Sequence, residues 1–404
     1  MSYDTSEQDL PPVENWLSDW DWLDRQWGPN AIDIWNDVRE VCPVATTERY
    51  GRAFMPVTMD AVSQVAHDTE HFSSIWVSVG RPDAPRRPAP PITSDPPDHK
   101  EHRRLLLPSF SPKVIAPMEA DMRTFCRSLI ADLGDSATAD GSADYSQHIP
   151  VHGICQLLGV PESDADMFRD WIWRNFQLAP RDNAVRVQVQ EEMDAYLSEQ
   201  IKRREEQPED DLMTLVSQAE IDGEPISMQL KLGYAKLMII AGIDTTWSAL
   251  GSGMWYLGQH PEERARLCAV PDDDPLWSTA VEEVLRYFAP VTMGRKAIAD
   301  TKVGGCPVRA GEQMLLTFPA ANHDPAAFED PGTFQLDRAR NRHVAFGLGI
   351  HRCLGSNLAR LEMTVGLQEW VRAFPDYELD TTKDTEWANG QIRGPRFLPL
   401  ILNN

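Results

Sequence analysis

Apolar residues recur at intervals of three and four along most of the first three quarters of the chain, the period that lines one face of an α-helix. The spacing predicts helices over residues 118–133, 164–178 and 185–206. A longer one is predicted over 227–259, with Ser227 placed to cap its start and Pro261 to stop its extension. Its apolar positions Leu230, Leu237, Ile240, Leu250 and Met254 run around much of the surface, the pattern of a buried central helix. Further helices are expected after Asp95-Pro96-Pro97-Asp98, over 278–288, and from Leu358 through Val365. Strand-like stretches are short: 49–56, 292–304, 313–318 and 392–402, with turn signals at Gly304-Gly305 and Ala310-Gly311. The proline-rich run 82–97 reads as loop. Helical periodicity resumes beyond that run and beyond the break at 207–211, so neither marks a domain boundary. The expectation is a mainly α fold with a minor β portion, one domain over 1–404, and a flexible N-terminus over 1–15.

Charge narrows the function. The formal net charge is −24, which repels nucleic acid and anionic membranes alike. The start, MSYDTSEQDL, is acidic and carries no apolar run, so it does not read as a signal peptide. The longest apolar stretch, near 237–243, ends at Asp244 and is too short to span a bilayer. A soluble, cytoplasmic protein is expected. The cysteines Cys42, Cys126, Cys155, Cys268, Cys306 and Cys353 form no CxxC pair and no secreted disulfide framework. Apart from Cys353 they read as thiols of a reducing compartment.

The most specific segment is Phe346-Gly347-Leu348-Gly349-Ile350-His351-Arg352-Cys353-Leu354-Gly355. A cysteine just ahead of a helix has its thiolate stabilised by the first amides and the helix dipole. Gly347 and Gly349 allow a tight turn beside a flat ligand. A phosphate loop is excluded, because no Lys-Ser/Thr follows the glycines. A zinc site would have only His343, His351 and Cys353, with no pair at ligand spacing. A nucleophilic cysteine working with His351 stays open on the residues alone.

The segment resembles the haem-binding signature of the cytochromes P450 at every specified position. Three other segments resemble that family in its own order. Ala241-Gly242-Ile243-Asp244-Thr245-Thr246 is similar to its central-helix motif, in which a small residue leaves room for the haem face and an acid and an alcohol, here Asp244 and Thr245, deliver protons at the oxygen site. Glu283 and Arg286 are similar to its buried structural Glu-x-x-Arg pair, with Arg338 as the candidate third partner. His99 and Arg103, at i and i+4 after the proline loop, resemble its propionate ligands, joined by Arg295 and His351.

What the resemblance implies is a haem b enzyme of the soluble bacterial type. The haem would lie between the central helix and the cysteine-loop helix, with Cys353 as the iron ligand and Phe346, Gly347 and Ala241 against the ring. A thiolate ligand favours O–O cleavage. The expected reaction inserts one atom of O2 into a small or medium hydrophobic molecule. Electrons would come from NAD(P)H through a separate ferredoxin and its reductase, since no further Gly-rich nucleotide motif or Cys cluster suggests a built-in flavin or iron–sulfur group. The alternatives are a peroxide-driven or rearranging enzyme on the same fold, or a haem sensor or carrier; the intact Asp244–Thr245 pair weighs against both. By resemblance the substrate pocket takes Ile75, Trp76, Val79, Trp173, Phe176, Leu237, Ile240, Val291, Met293 and Ile392, with Arg86 and Arg87 nearby to meet a carboxylate or solvent. Lys100, Arg104, Arg342, Arg352 and Arg360 are the expected basic docking patch for the ferredoxin.

Overall fold

The computed structural model describes residues 11–80 and 87–403. The central helix runs from Met228 to Gln259, 32 residues, and the Ser227 hydroxyl accepts from the Leu230 N–H at 3.3 Å. It ends just ahead of Pro261, where the next helix begins. The helices His148–Leu158, Pro275–Phe288 and Ser356–Ala373 pack against it, and Glu119–Leu133 packs on the first and last of these. Ala165–Trp173, extended by a wider turn over Arg174–Leu178, and Asn183–Glu206 lie against its N-terminal half.

The central helix divides its packing between two cores. Up to Trp247 it joins Phe168, Trp171, Val189 and Met193. From Ala249 it joins Trp277, Val284, Met363 and Trp370. At about 25 cal/mol per Å² of apolar surface, burial of this kind is the main term holding the fold.

The minor β portion is a five-stranded sheet in the order Val44–Thr47, Ala53–Pro56, Gln313–Leu316, Met293–Ala297, Phe72–Ser73. Strands are shorter than the alternation predicts. The stretch 49–56 yields only Ala53–Pro56, because residues 48–52 form the turn back from Val44–Thr47. The stretch 292–304 breaks into Met293–Ala297 and Thr301–Val303, the latter a hairpin arm turned by Gly304 and Gly305. At the N-terminus, Val13 is buried and its N–H donates to Asp24 at 2.9 Å; of the segment 1–15, residues 1–10 lie outside the described residues.

Candidate active site: a cysteine loop facing the central helix

The Cys353 loop is fixed by its own backbone. The Cys353 N–H donates to the Phe346 carbonyl at 2.8 Å and the Gly347 N–H to that of Val344 at 2.9 Å. Gly349 has φ +65°, and a Cβ there would stand 2.6 Å from the Ala66 carbonyl oxygen. Only glycine allows the loop to lie this close to the helix Met59–His67. Cys353 sits three residues before the helix Ser356–Ala373. Its side chain is uncovered yet enclosed by the walls of a cleft. Burial pushes the thiol up, while the Gly355 N–H and the cations Arg103, Arg352 and Arg360 pull it down. That set of opposing groups suits a sulfur meant to bear charge against a positive partner.

The middle of the central helix has an uncovered face of its own. Ala241 is exposed and Thr245 half-exposed, although Ile239, Ile243 and Asp244 around them are buried. The Thr245 hydroxyl donates to the Ala241 carbonyl at 2.9 Å. Residues i and i+4 share a helix face, so these two form one open face in an otherwise buried helix.

Four side chains come together around His351. The His99 and His351 rings meet edge to face at 4.5 Å. Arg103 donates to the Arg352 carbonyl at 2.7 Å, tying the helix His99–Leu106 to the cysteine loop. Arg295 is buried, and burial pushes its guanidinium down to about 10. Burial, with Arg295, His99 and Arg103 adding like charge, pushes the His351 imidazole down to about 3. The Nε2 atoms of His99 and His351 are buried without a partner. Unsatisfied nitrogens beside two arginines are a cradle for anionic oxygens. Together with the thiol and the Ala241 face, they fit a haem with its carboxylates.

A family model described as cytochrome P450 matches residues 151–389. Polyketide biosynthesis cytochrome P450 PksS of Bacillus subtilis is 32% identical over 316 residues, 77% of each chain. Vitamin D(3) 25-hydroxylase of Pseudonocardia autotrophica is 35% identical over 328 residues, 80% of each chain. This chain belongs to the cytochrome P450 family. The solved structure of the Bacillus subtilis bacillaene polyketide synthase cytochrome P450 PksS shares the fold with TM-score 0.86 at 28% identity, covering 95% of this chain and 100% of that one. As a P450 with hydroxylases among its relatives, the chain is a monooxygenase, and the family carries haem iron on a cysteine thiolate.

Other P450 positions divide into those brought together and those placed elsewhere. Glu283 and Arg286 are wholly buried and paired at 2.8 Å through both carboxylate oxygens. Arg338 joins them at 3.0 Å, as expected, and Asn341 and the Gln335 N–H complete the knot. In the pocket set, Leu237 and Ile240 lie on the central helix, and Val291 bridges Ile392. Met293 is half-buried with Gln391 on its sulfur, and Phe176 packs on the upper core. Trp173 and Ile75 are exposed at 42% and 39%. The Lys296 ammonium lies 4.4 Å from the Trp76 ring centroid. Val79 is a correction: it is 1% exposed and belongs to the N-terminal core with Trp20, Trp27 and Leu315. Arg87 pairs with Asp194 rather than standing ready for a ligand, and Arg86 lies outside the described residues.

The basic patch is thinner than the sequence implies. Lys100, Arg342 and Arg352 are exposed, but Arg104 pairs with Glu101, and Arg360 is held by Glu282 at 2.5 Å and stacks over Phe346. Near it lie Lys113, Leu107 and Val114. They are exposed on a segment that touches the cysteine helix where Asn357 donates to the Phe110 carbonyl at 2.9 Å.

Two buried carboxyl groups lie beside Thr245; of these Asp244 was expected from the sequence, while its partner Arg396 and the second carboxyl, Glu362, were not. Asp244 is 1% exposed and its Oδ1 accepts from Arg396 at 2.7 Å. Glu362 lies against Thr246, with Oε1 unpartnered and its carboxyl pushed well up by burial. No described helix is long and apolar enough to cross a membrane.

Proposed function

We propose that this P450 inserts one oxygen atom of O2 into an apolar organic molecule, with haem b held by Cys353 and electrons delivered by a separate ferredoxin. The observation that carries this reading is the convergence of His99, Arg103, Arg295 and His351 beside the Cys353 loop. When bound, the haem supplies the oxygen activation and the electron path. The chain supplies the rest. The two arginines and two histidines bind the propionates and orient the ring. Phe346 and Gly347 shape the proximal side, and Ala241 leaves the distal side open. Thr245 holds its hydroxyl at the cleft, where it hands on a proton, and Asp244 is the acid behind it.

Substrate orientation falls to Leu237, Ile240, Val291, Met293 and Ile392, with Phe176 above. They offer apolar surface and no fixed charge, which excludes water and favours a hydrophobic molecule. The relative named for vitamin D(3) hydroxylation supports that class. For docking, Lys100, Arg342, Arg352 and Lys113 form the positive rim, and Leu107 and Val114 its apolar floor, facing an acidic ferredoxin.

The test is optical. The reduced protein under CO is expected to show the red-shifted band of a thiolate ligand, and Cys353→Ser to lose it. A screen of terpenoids, aromatic acids, fatty acids and macrolides is expected to return a spin-state shift from an apolar compound. A parent protein that takes up no haem during haem-sufficient expression would end the reading.

A further inference from the structure

The apolar lining of the central helix ends at a charge. Lys236 and Ile240 are four apart and share a face, and Ile240 directly precedes Ala241. The Lys236 side chain is 8% exposed, and its ammonium donates at 2.7 Å to Oδ1 of Asp194, a residue of the helix Asn183–Glu206. Asp194 Oδ2 accepts from Arg87, which lies exposed on the loop ahead of His99. That loop is pinned to the central helix, because a Cβ at Gly233 would stand 2.3 Å from the Pro88 carbonyl oxygen. Beside the three charges opens a cavity of about 330 Å³, lined by Arg87, Pro88, Asp194, Gln229, Leu232 and Lys236. In that lining one carboxylate serves two cations, which leaves positive charge in excess.

We propose that this cavity is a subsite for the carboxylate of an otherwise apolar acid, held by Lys236 and Arg87 while the apolar body runs along Ile240 to the open face of Ala241 and Thr245. The proposal deepens the apolar-substrate reading and rests on it. Asp194 meets each cation through one oxygen, and an ammonium and a guanidinium both have donors to spare. An incoming carboxylate takes up those donors and neutralises the excess charge, whereas a neutral ester leaves it unmet. Along the helix axis, Thr245 lies roughly 13 Å beyond Lys236 at the rise of an α-helix. The acid end is therefore remote from the carbon that is oxidised, and an acid too short to span that distance cannot fill both places.

The experiment measures binding of decanoic, dodecanoic and tetradecanoic acids and of their methyl esters to the haem-loaded protein, by spin-state shift and by calorimetry. Dodecanoic and tetradecanoic acids are expected to bind about tenfold tighter than their esters. Lys236→Met and Arg87→Gln each lower acid affinity about tenfold and leave ester affinity unchanged. Asp194→Asn removes the competing carboxylate and raises acid affinity, a change of sign that a merely structural cluster would not give. The thiolate–CO band establishes that each variant is folded, and the comparison of acid with ester on the parent needs no variant. Acetate, an anion without an apolar body, is expected to leave dodecanoate bound at equal concentration. Acids that bind no tighter than their esters, a Lys236→Met protein that weakens acid and ester alike, or acetate that displaces dodecanoate overturns the subsite while the apolar-substrate reading stands. If no acid, no ester and no neutral compound of the screen shifts the spin state, both fail.

Discussion

His99 and His351 come from opposite ends of the chain and meet edge to face with ring centroids 4.5 Å apart. Each keeps one buried nitrogen unsatisfied, and burial pushes both imidazoles down, toward the neutral form. In a folded protein an unpaired buried donor costs about 1–3 kcal/mol, a cost that a ligand oxygen removes.

His351→Ala is therefore expected to lower haem retention without unfolding the apoprotein. A charge-assisted hydrogen bond contributes roughly 1.5–3 kcal/mol, which corresponds to haem dissociation about 10- to 100-fold faster. Transfer of haem to an apoglobin measures this rate. An unchanged rate would show that the histidine lies away from the propionates.

Glu283→Ala is expected to abolish accumulation of folded haem protein. Glu283 receives Arg286, Arg338, Asn341 and the Gln335 N–H, and it is fully buried. Removing it leaves two guanidiniums without their counter-charge, at about 3–5 kcal/mol. Expression yield and thermal melting are the readouts. A melting point near the parent's would mean that the carbonyls of Asn322, Pro331 and Thr333 already satisfy Arg286.

Gly349→Ala is expected to lift the cysteine loop. Its φ of +65° and the Ala66 carbonyl at 2.6 Å leave no room for a methyl group. Strain of this kind costs about 1–3 kcal/mol. Reduced haem occupancy and a weakened thiolate–CO band are the expected result. Gly332→Ala, where nothing lies within 4 Å of the added carbon, is the control.

His323 makes stability depend on acid. It is buried, its Nε2 lies 2.8 Å from the Tyr287 carbonyl, and burial pushes the imidazole down to about 3 from 6.5. Above 6.5 neither state binds the proton, and stability is whole. As pH falls below that value the unfolded chain takes a proton that the native ring refuses, so stability declines by up to about 1.4 kcal/mol per pH unit. Urea midpoints between pH 7 and about 5, above the carboxylate range, are expected to fall in the parent and less in His323→Gln. Parallel curves would assign the acid sensitivity to other groups.

Legibility followed sequence distance. The central helix was readable because its punctuation, Ser227 and Pro261, is local. The cysteine loop was readable because ten consecutive residues carry it. Glu283 and Arg286 lie one helical turn apart, so their pairing is written into their spacing, whereas Arg338 needed the family resemblance. Arg396 had no such marker: it is one of 38 basic residues, and only the fold carries it to Asp244. Arg360 looked available from sequence because nothing local announces Glu282 as its partner. Val79 misled for the opposite reason, since an apolar residue in a loop reads the same whether it lines a pocket or plugs a core. The strands came out short because turns, which alternation does not register, divide them.

The two-part packing of the central helix has a mechanical consequence. Residues before Ser248 are held by the helices Ala165–Trp173 and Asn183–Glu206; residues after it are held by Trp277 and Trp370, next to the Glu283 knot. Separating the first set from the helix leaves the second set's contacts intact. The helix is thus shared between two cores: the half that carries Ala241 and Thr245 packs with Phe168 and Leu358, and the other half packs beside the Glu283 knot. A substitution in the Phe168–Met193 core therefore reaches the Ala241–Thr245 half of the helix first, and by itself removes none of the contacts around Trp277 and Trp370.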